Sequence, residues 1–378
     1  GEVNSVMFTV DDNVLDEVHN FPAPIDSEGR VSADVPIDFE QHITLNLAYL
    51  HLFVRPGDTL RITTEVSGHE PKSVSYDGSG ESAAINAWRD TLCARFGVPV
   101  NHYELVEKAK KEGREGVMKQ TREWFALLIT MADTARAARL MADLPLSNFA
   151  KDLLFTNALT RMMTCIDEFG RFSGGHNDFD IDWKEFYAPL RPVAALLYDN
   201  PLILSVANAP SFINRSEYNA IFWQLQPIGL FGKKTQRLSE YLRQAQAQSL
   251  ADYGIGSCFM ADLANVRAMS LNTISGVEKS IVNKPKSTER ELGMAKRRIA
   301  DCLVNIRNPQ LVSLLLNRYG RMAAKLDGAK ENLGQNWTDE QRDLWRRITA
   351  PYSGNLLYVD FWGIGCGPCR GGMISMRD

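Results

Sequence analysis

Residues 76–96, YDGSGESAAINAWRDTLCARF, contain the point at which the periodicity of the chain changes. Upstream of Gly78 apolar residues tend to alternate with polar ones, the repeat of two that belongs to strands covered on one face. From Glu81 to Phe96, Ala84, Trp88, Leu92 and Ala94 fall on one stripe, the repeat of an amphipathic helix. This switch predicts a β-rich N-terminal region and a helical region after it.

Working outward toward the N-terminus, Val31, Ala33 and Val35 alternate with Ser32, Asp34 and Pro36. The runs Leu50 to Val54 and Leu60 to Val66 flank Arg55-Pro-Gly-Asp-Thr59, whose Pro-Gly-Asp chemistry predicts a hairpin or a corner. Asp26-Ser-Glu-Gly-Arg30 predicts a second turn of that kind. These features predict a small antiparallel β-sandwich over residues 1–78.

Toward the C-terminus the helical pattern continues to about Ala350, defining a helical domain over 79–350. The clearest run is 116–144, which Pro145 stops. Further helices are predicted at about 147–169, 183–199, 211–226, 234–252, 257–274, 288–306, 309–326 and 339–350. No strand is expected between residues 100 and 345. The charged stretch 284–298 is read as a solvated helix face, and Met162 and Met163 as core filler.

The chain of 378 residues is 44% hydrophobic and 23% charged, long enough for two or three domains. Lys and Arg total 42 against 46 for Asp and Glu, so no general basic field draws it to nucleic acid. No apolar run reaches the roughly 18 residues that a membrane-spanning helix requires. Gly1 in place of Met is read as the trace of a removed leader.

Six cysteines are too few for a disulfide scaffold. Cys93, Cys165, Cys258 and Cys302 stand alone in helical pattern and are expected to be buried small hydrophobes. Cys366 and Cys369 form a pair two residues apart, directly after the apolar run Leu356-Leu-Tyr-Val-Asp-Phe-Trp362. A helix opening there places Cys366 among unpaired N–H groups and the helix dipole, which stabilise a thiolate. Cys366 is then the attacking thiol and Cys369, one turn on, the resolving one. Pro368 suits the first helical turn, where the N–H it lacks has no partner.

Other motifs fail on chemistry. Asp178-Phe-Asp-Ile-Asp182 begins like a calcium loop but has Trp183 at the sixth position and Pro189 at the twelfth; it is read as a capping linker. Gly232-Lys-Lys-Thr235 lacks the first glycine of a phosphate loop, Pro227 standing there, and no buried strand precedes it. A zinc site would need two more ligands near the cysteine pair. The six histidines, at 19, 42, 51, 69, 102 and 176, lack ligand spacing and are read as surface or packing residues. No cofactor or metal is predicted.

The run LLYVDFWGIGCGPCR at 356–370 resembles the active-site strand, loop and helix of TlpA-like thiol-disulfide oxidoreductases, whose usual form is VDFWATWCGPCR. The EGR turn at 28–30, VRPGDTL at 54–60 and GSGESAAIN at 78–86 are similar to the N-terminal β-domain and first helix of a cell-envelope subgroup of that family. The resemblance implies a thioredoxin-like fold at the C-terminus, a catalytic pair Cys366 and Cys369 supported by Trp362, Gly367 and Pro368, and a periplasmic or envelope location. Protein thiols or disulfides and a redox partner protein are the implied partners.

Gly365 stands where the family has Trp. Nine residues follow Cys369, whereas that fold needs further strands, so residues 351–378 are read as its truncated start. The expected fold class is therefore α+β multidomain: an N-terminal antiparallel β-sandwich, a central all-helical domain and an incomplete thioredoxin-like segment. The alternative function is a non-catalytic binding or scaffold protein of the cell envelope with a vestigial motif. The exposed apolar strand is expected to dock on the helical domain or to pair two copies through the tail.

Overall fold

The computed structural model describes residues 5–15, 17–37, 39–46, 50–67, 70–170, 179–222, 244, 247–248, 250–283, 288–332, 343 and 346–352. They belong to two compact units, residues 1–324 and 325–378. In the second unit the described residues include an Arg347–Asp343 ion pair at 3.4 Å and a single 3-10 turn, Ala350–Tyr352.

The first unit begins with an antiparallel sheet of four strands: β1 (Ser5–Asp12), β2 (Glu17–Pro24), β3 (Gln41–Leu45) and β4 (Leu50–Val54), in the order β2-β1-β3-β4. A separate hairpin follows, β5 (Leu60–Ser67) with β6 (Glu70–Gly78), its register broken by a bulge at Glu65/Val66. Val6, Val10, Ala23, Ile43, Leu45, Leu50 and Leu52 form the buried core of the sheet, and Leu60, Ile62, Val74 and Tyr76 of the hairpin pack against it. Arg55-Pro-Gly-Asp-Thr59 is thus a corner between the sheet and the hairpin, with Gly57 at φ +83° supplying the left-handed residue.

The alternating run Val31–Val35 forms no strand, contrary to the pattern. Val31, Val35 and Ile37 still pack on the sheet core, but as irregular chain. Pro36 removes a ladder donor there, and alternation alone cannot distinguish covering from pairing.

The two runs 54–60 and 78–86 meet in space. The Asp58 carboxylate accepts from the Ser82 hydroxyl at 2.6 Å and from the Ser82 N–H at 3.2 Å, at the start of helix α1 (Ser82–Phe96). Thr59 and Ser79 exchange two further bonds, and Arg55 pairs with Glu81 at 3.1 Å. One turn into α1, the buried Asn86 side chain accepts from the Phe53 N–H and donates to the Phe53 carbonyl, both at 2.8 Å. Its amide does for the outer edge of β4 what another strand would do, so that edge is closed.

The turn joining β1 to β2 is buried, with Val14 and Leu15 at 0% and 2% exposure. Asp12 holds it locally, its carboxylate accepting from the N–H groups of Val14 and Leu15 at 2.9 Å each. Helical residues take the carbonyls: Arg267 donates to Asn13 at 2.7 Å and Ser270 to Leu15 at 2.8 Å. Close to the same junction Ser205 donates to the Glu40 carbonyl, and His42 Nδ1 donates to the Ser205 carbonyl at 2.8 Å.

The helices follow as α2 (His102–Lys111), α3 (Gly113–Met131), α4 (Thr134–Leu140), α5 (Asn148–Gly170), α6 (Trp183–Tyr187), α7 (Ala194–Tyr198), α8 (Ala209–Glu217), α9 (Phe259–Ala268), α10 (Ser275–Asn283), α11 (Thr288–Leu303) and α12 (Pro309–Asn332). Among the described residues between 100 and 345 there is no strand. The run expected at 116–144 is two helices, because Asp133 caps a new start by accepting from Ala135 and Arg136. The run expected at 183–199 is broken by Pro189 and Pro192 into α6, a 3-10 turn Ala188–Leu190, and α7. The helix expected at 211–226 is shorter, ending at Glu217. That expected at 257–274 instead passes through a π turn, Met269–Ile274, into α10, and the last long helix continues to Asn332. Among the described residues no helix is long and apolar enough to cross a membrane.

Replacing Asn86 by Ala strands a buried donor and a buried acceptor on Phe53. The expected loss is about 2 to 4 kcal/mol of stability, read by denaturant unfolding, whereas Ala83→Ser on the same helix should change little.

Candidate functional site

Trp362, Cys366, Gly367, Pro368 and Cys369 all lie in 353–378, outside the described residues, as does the strand expected at 356–362. Gly232-Lys-Lys-Thr235 and most of the helix expected at 234–252 lie outside them as well.

Cys93, Cys165, Cys258 and Cys302 are free and buried. Cys93 lies under the Asn157 amide at 3.4 Å, and Cys165 donates to the Arg161 carbonyl one turn back. Burial pushes the thiols of Cys165, Cys258 and Cys302 up to about 12, and that of Cys93 in the same direction despite the nearby Arg161. A thiol so held is neither a nucleophile nor a ready metal ligand at neutral pH.

His42 is buried and its pKa lies well below the usual value, first because burial disfavours the cation and second because Arg89 repels it. It packs edge-on against Phe53 at 5.4 Å, so it is a packing residue of the sheet junction. His51 touches Thr44 at 3.3 Å, His102 stacks on Tyr103 at 4.0 Å, and His19 is exposed. Asp182 caps α6, accepting from Lys184 at 2.9 Å, which is the capping role read for that segment. Among the described residues no group of three His, Cys, Asp or Glu could hold a metal ion.

A cleft of about 320 Å³ opens beside Leu250, Ile255, Ser257, Asp262 and Arg307. Its charges already answer one another: the Arg307 guanidinium lies 3.6 Å from Asp199 and 3.7 Å from Asp262, and Asp262 also accepts from two backbone N–H groups. It offers a ligand shape rather than free charge.

Sequence reasoning missed a cluster deep in the helices. Asp167 near the end of α5 accepts on one oxygen from the Tyr187 hydroxyl at 2.9 Å and from the Asn219 amide at 3.2 Å. Burial raises its pKa to about 7. Its partners stand 20 and 52 residues away along the chain, so no local pattern marks it.

Comparison of the chain with family models, with curated proteins and with solved structures gives no match.

The thiol geometry makes a prediction. In the native protein a small alkylating reagent at pH 8 should add to no more than two cysteines, Cys366 and Cys369, and all six should react in denaturant. Peptide mass analysis after labelling would show any fast reaction at Cys93, Cys165, Cys258 or Cys302, which the burial of these thiols forbids.

Proposed function

We propose that this chain serves thiol-disulfide exchange in the cell envelope, as the N-terminal sheet and helical region of a TlpA-like oxidoreductase carrying the redox pair Cys366 and Cys369. The observation that carries this reading is the run LLYVDFWGIGCGPCR at 356–370, a strand-like apolar sequence followed, after Gly363-Ile-Gly365, by Cys-Gly-Pro-Cys. The inertness of the other four thiols supports it, since exchange is then not diverted to them.

In this mechanism the Cys366 thiolate attacks one sulfur of a substrate disulfide and expels the other as a thiolate. The mixed disulfide is resolved when Cys369 attacks Cys366, releasing the second substrate thiol. Two electrons pass to the substrate and a Cys366–Cys369 disulfide remains; the reverse sequence oxidises a substrate dithiol. A helix opening at the pair, as its sequence leads us to expect, would set Cys366 among unpaired N–H groups that lower the cost of its thiolate, and Pro368 would suit its first turn. The sheet and helices of residues 5–324 act as the body that presents this unit to protein partners.

The test is turnover of a model protein disulfide by the reduced chain. Cys366→Ser should abolish it, and Cys369→Ser should accumulate a mixed disulfide visible by mass. The Cys366 alkylation rate should rise around neutrality, not above about pH 8 as for an ordinary thiol. Absence of turnover, of trapped adduct and of a low-pH thiolate together would leave the chain as a binding or scaffold protein.

The tail itself is open to measurement. Its large apolar side chains each forfeit roughly 1.5 to 3 kcal/mol in water, so removal of 355–378 should lower the melting temperature or convert a dimer to a monomer. An unchanged melting temperature and solution mass would show the tail to be free of both contacts.

A further inference from the structure

The Asp167 cluster serves no purpose in thiol exchange, and its bonding is incomplete in a telling way. Its lower half is rigid: the Asn219 carbonyl oxygen accepts from the N–H groups of Ile221 at 2.9 Å and Phe222 at 3.1 Å. The Asn219 amide nitrogen is thereby turned toward Asp167, and together with the Tyr187 hydroxyl it fills Asp167 Oδ1. The upper half holds three buried polar atoms that make no hydrogen bond of good geometry among the described residues, Asp167 Oδ2, Tyr198 OH and Ser216 Oγ, with Ser216 close enough to act on both of the others. Asp167, Tyr198 and Ser216 are at 0% exposure.

No cation among the described residues pairs with Asp167. The Arg215 guanidinium is held by Glu168, the neighbour of Asp167 on α5, at 2.6 Å. A carboxylate at this position would be an unpaired buried charge, which is costly, while its Oδ2 would offer only acceptance to two hydroxyls that can also accept. One hydrogen on Oδ2 removes both difficulties. It neutralises the charge and gives the upper half a donor.

We propose that Asp167 is a proton-holding site built into the helical core, protonated on Oδ2 and donating to the Ser216 or Tyr198 hydroxyl, so that release of this proton to solvent weakens the packing of α5 against α6 to α8. The tyrosines facing it do not titrate in its range, because burial pushes Tyr187 and Tyr198 well above the usual tyrosine value. Beyond them burial pushes Tyr253, packed on Tyr187, and Cys258, near Tyr198, to about 12. Glu168, beside it on α5, adds a repulsion that favours the protonated form, though less than burial does.

The sign of the effect is fixed by linkage. In the unfolded chain Asp167 loses its proton near 3.8; in the folded protein it keeps it to about 7. The stabilisation is complete below the unfolded value and is lost as pH rises toward 7. His42 acts in the opposite sense, because the folded protein disfavours its cation and acid therefore costs stability. The comparison of a variant with the parent isolates Asp167 from that background.

The full chain and its Asp167→Asn variant should be melted at intervals from pH 4 to pH 8. Asn keeps the acceptor for Tyr187 and Asn219 and presents a permanent N–H donor upward, imitating the protonated form. The variant-minus-parent difference in melting temperature should grow as pH rises and level off above about pH 7, leaving the variant the more stable at pH 8. A difference that is constant or shrinks with pH overturns the proposal. Should the variant not fold, the parent decides the matter through the side-chain carboxyl carbon resonance of Asp167. A midpoint above about 6 supports the site, and one near the ordinary value of about 4 overturns it.

Discussion

The tip of the β1–β2 hairpin is inserted among helices instead of lying in water, and this burial constrains much of the first unit. A turn in water satisfies its backbone groups with solvent, which is why turns lie at surfaces. Once Asn13, Val14 and Leu15 are enclosed, each N–H and C=O needs a partner or costs a lost hydrogen bond. Asp12 supplies the acceptor from within the turn, while Arg267 and Ser270 supply donors from α9 and the π turn that follows it. Burying Arg267 to reach Asn13 in turn requires a counter-ion, and Glu217 at the end of α8 provides it at 2.6 Å.

Those requirements fix which helices surround the sheet. The same logic repeats at β4, where Asn86 closes the strand edge, and at β3, where His42 and Ser205 bridge to the segment following α7. Arg318 extends it to α12, pairing with Glu17 at 2.7 Å and Glu278 at 2.6 Å. Apolar burial drives the docking, but non-directional contact alone would not select this orientation of sheet on helices. The hydrogen bonds to fixed backbone groups do.

Among the described residues the helical core keeps Cys93, Cys165, Cys258 and Cys302 buried, and burial makes them poor nucleophiles. Asp167, the proton-holding site proposed above, is fully buried in this core, where proton loss would disturb packing and no substrate could reach it.

Much of the fold was legible locally. The change of period at Gly78 to Glu81, the Pro-Gly-Asp corner, the stop before Pro201 and the burial of four isolated cysteines follow from steric and hydrophobic rules acting over a few residues, whereas the helix expected to run to Pro145 ends earlier, at Leu140. The Cys366-Gly-Pro-Cys369 spacing is likewise a local pattern; it lies outside the described residues, and the proposed exchange rests on the sequence there. Where local signals competed, they misled: Asp133 inside an apolar helical pattern is a cap, and Val31 to Val35 cover a sheet without joining it. What the tertiary structure alone decided is the set of distant polar partners. Nothing near Asn13 in sequence announces Arg267, 254 residues away, nor anything near Asp167 its bond to Asn219. Such pairings arise because burial removes water from groups that must still be bonded, and which side chain arrives to bond them depends on how the helices pack, not on their own sequence.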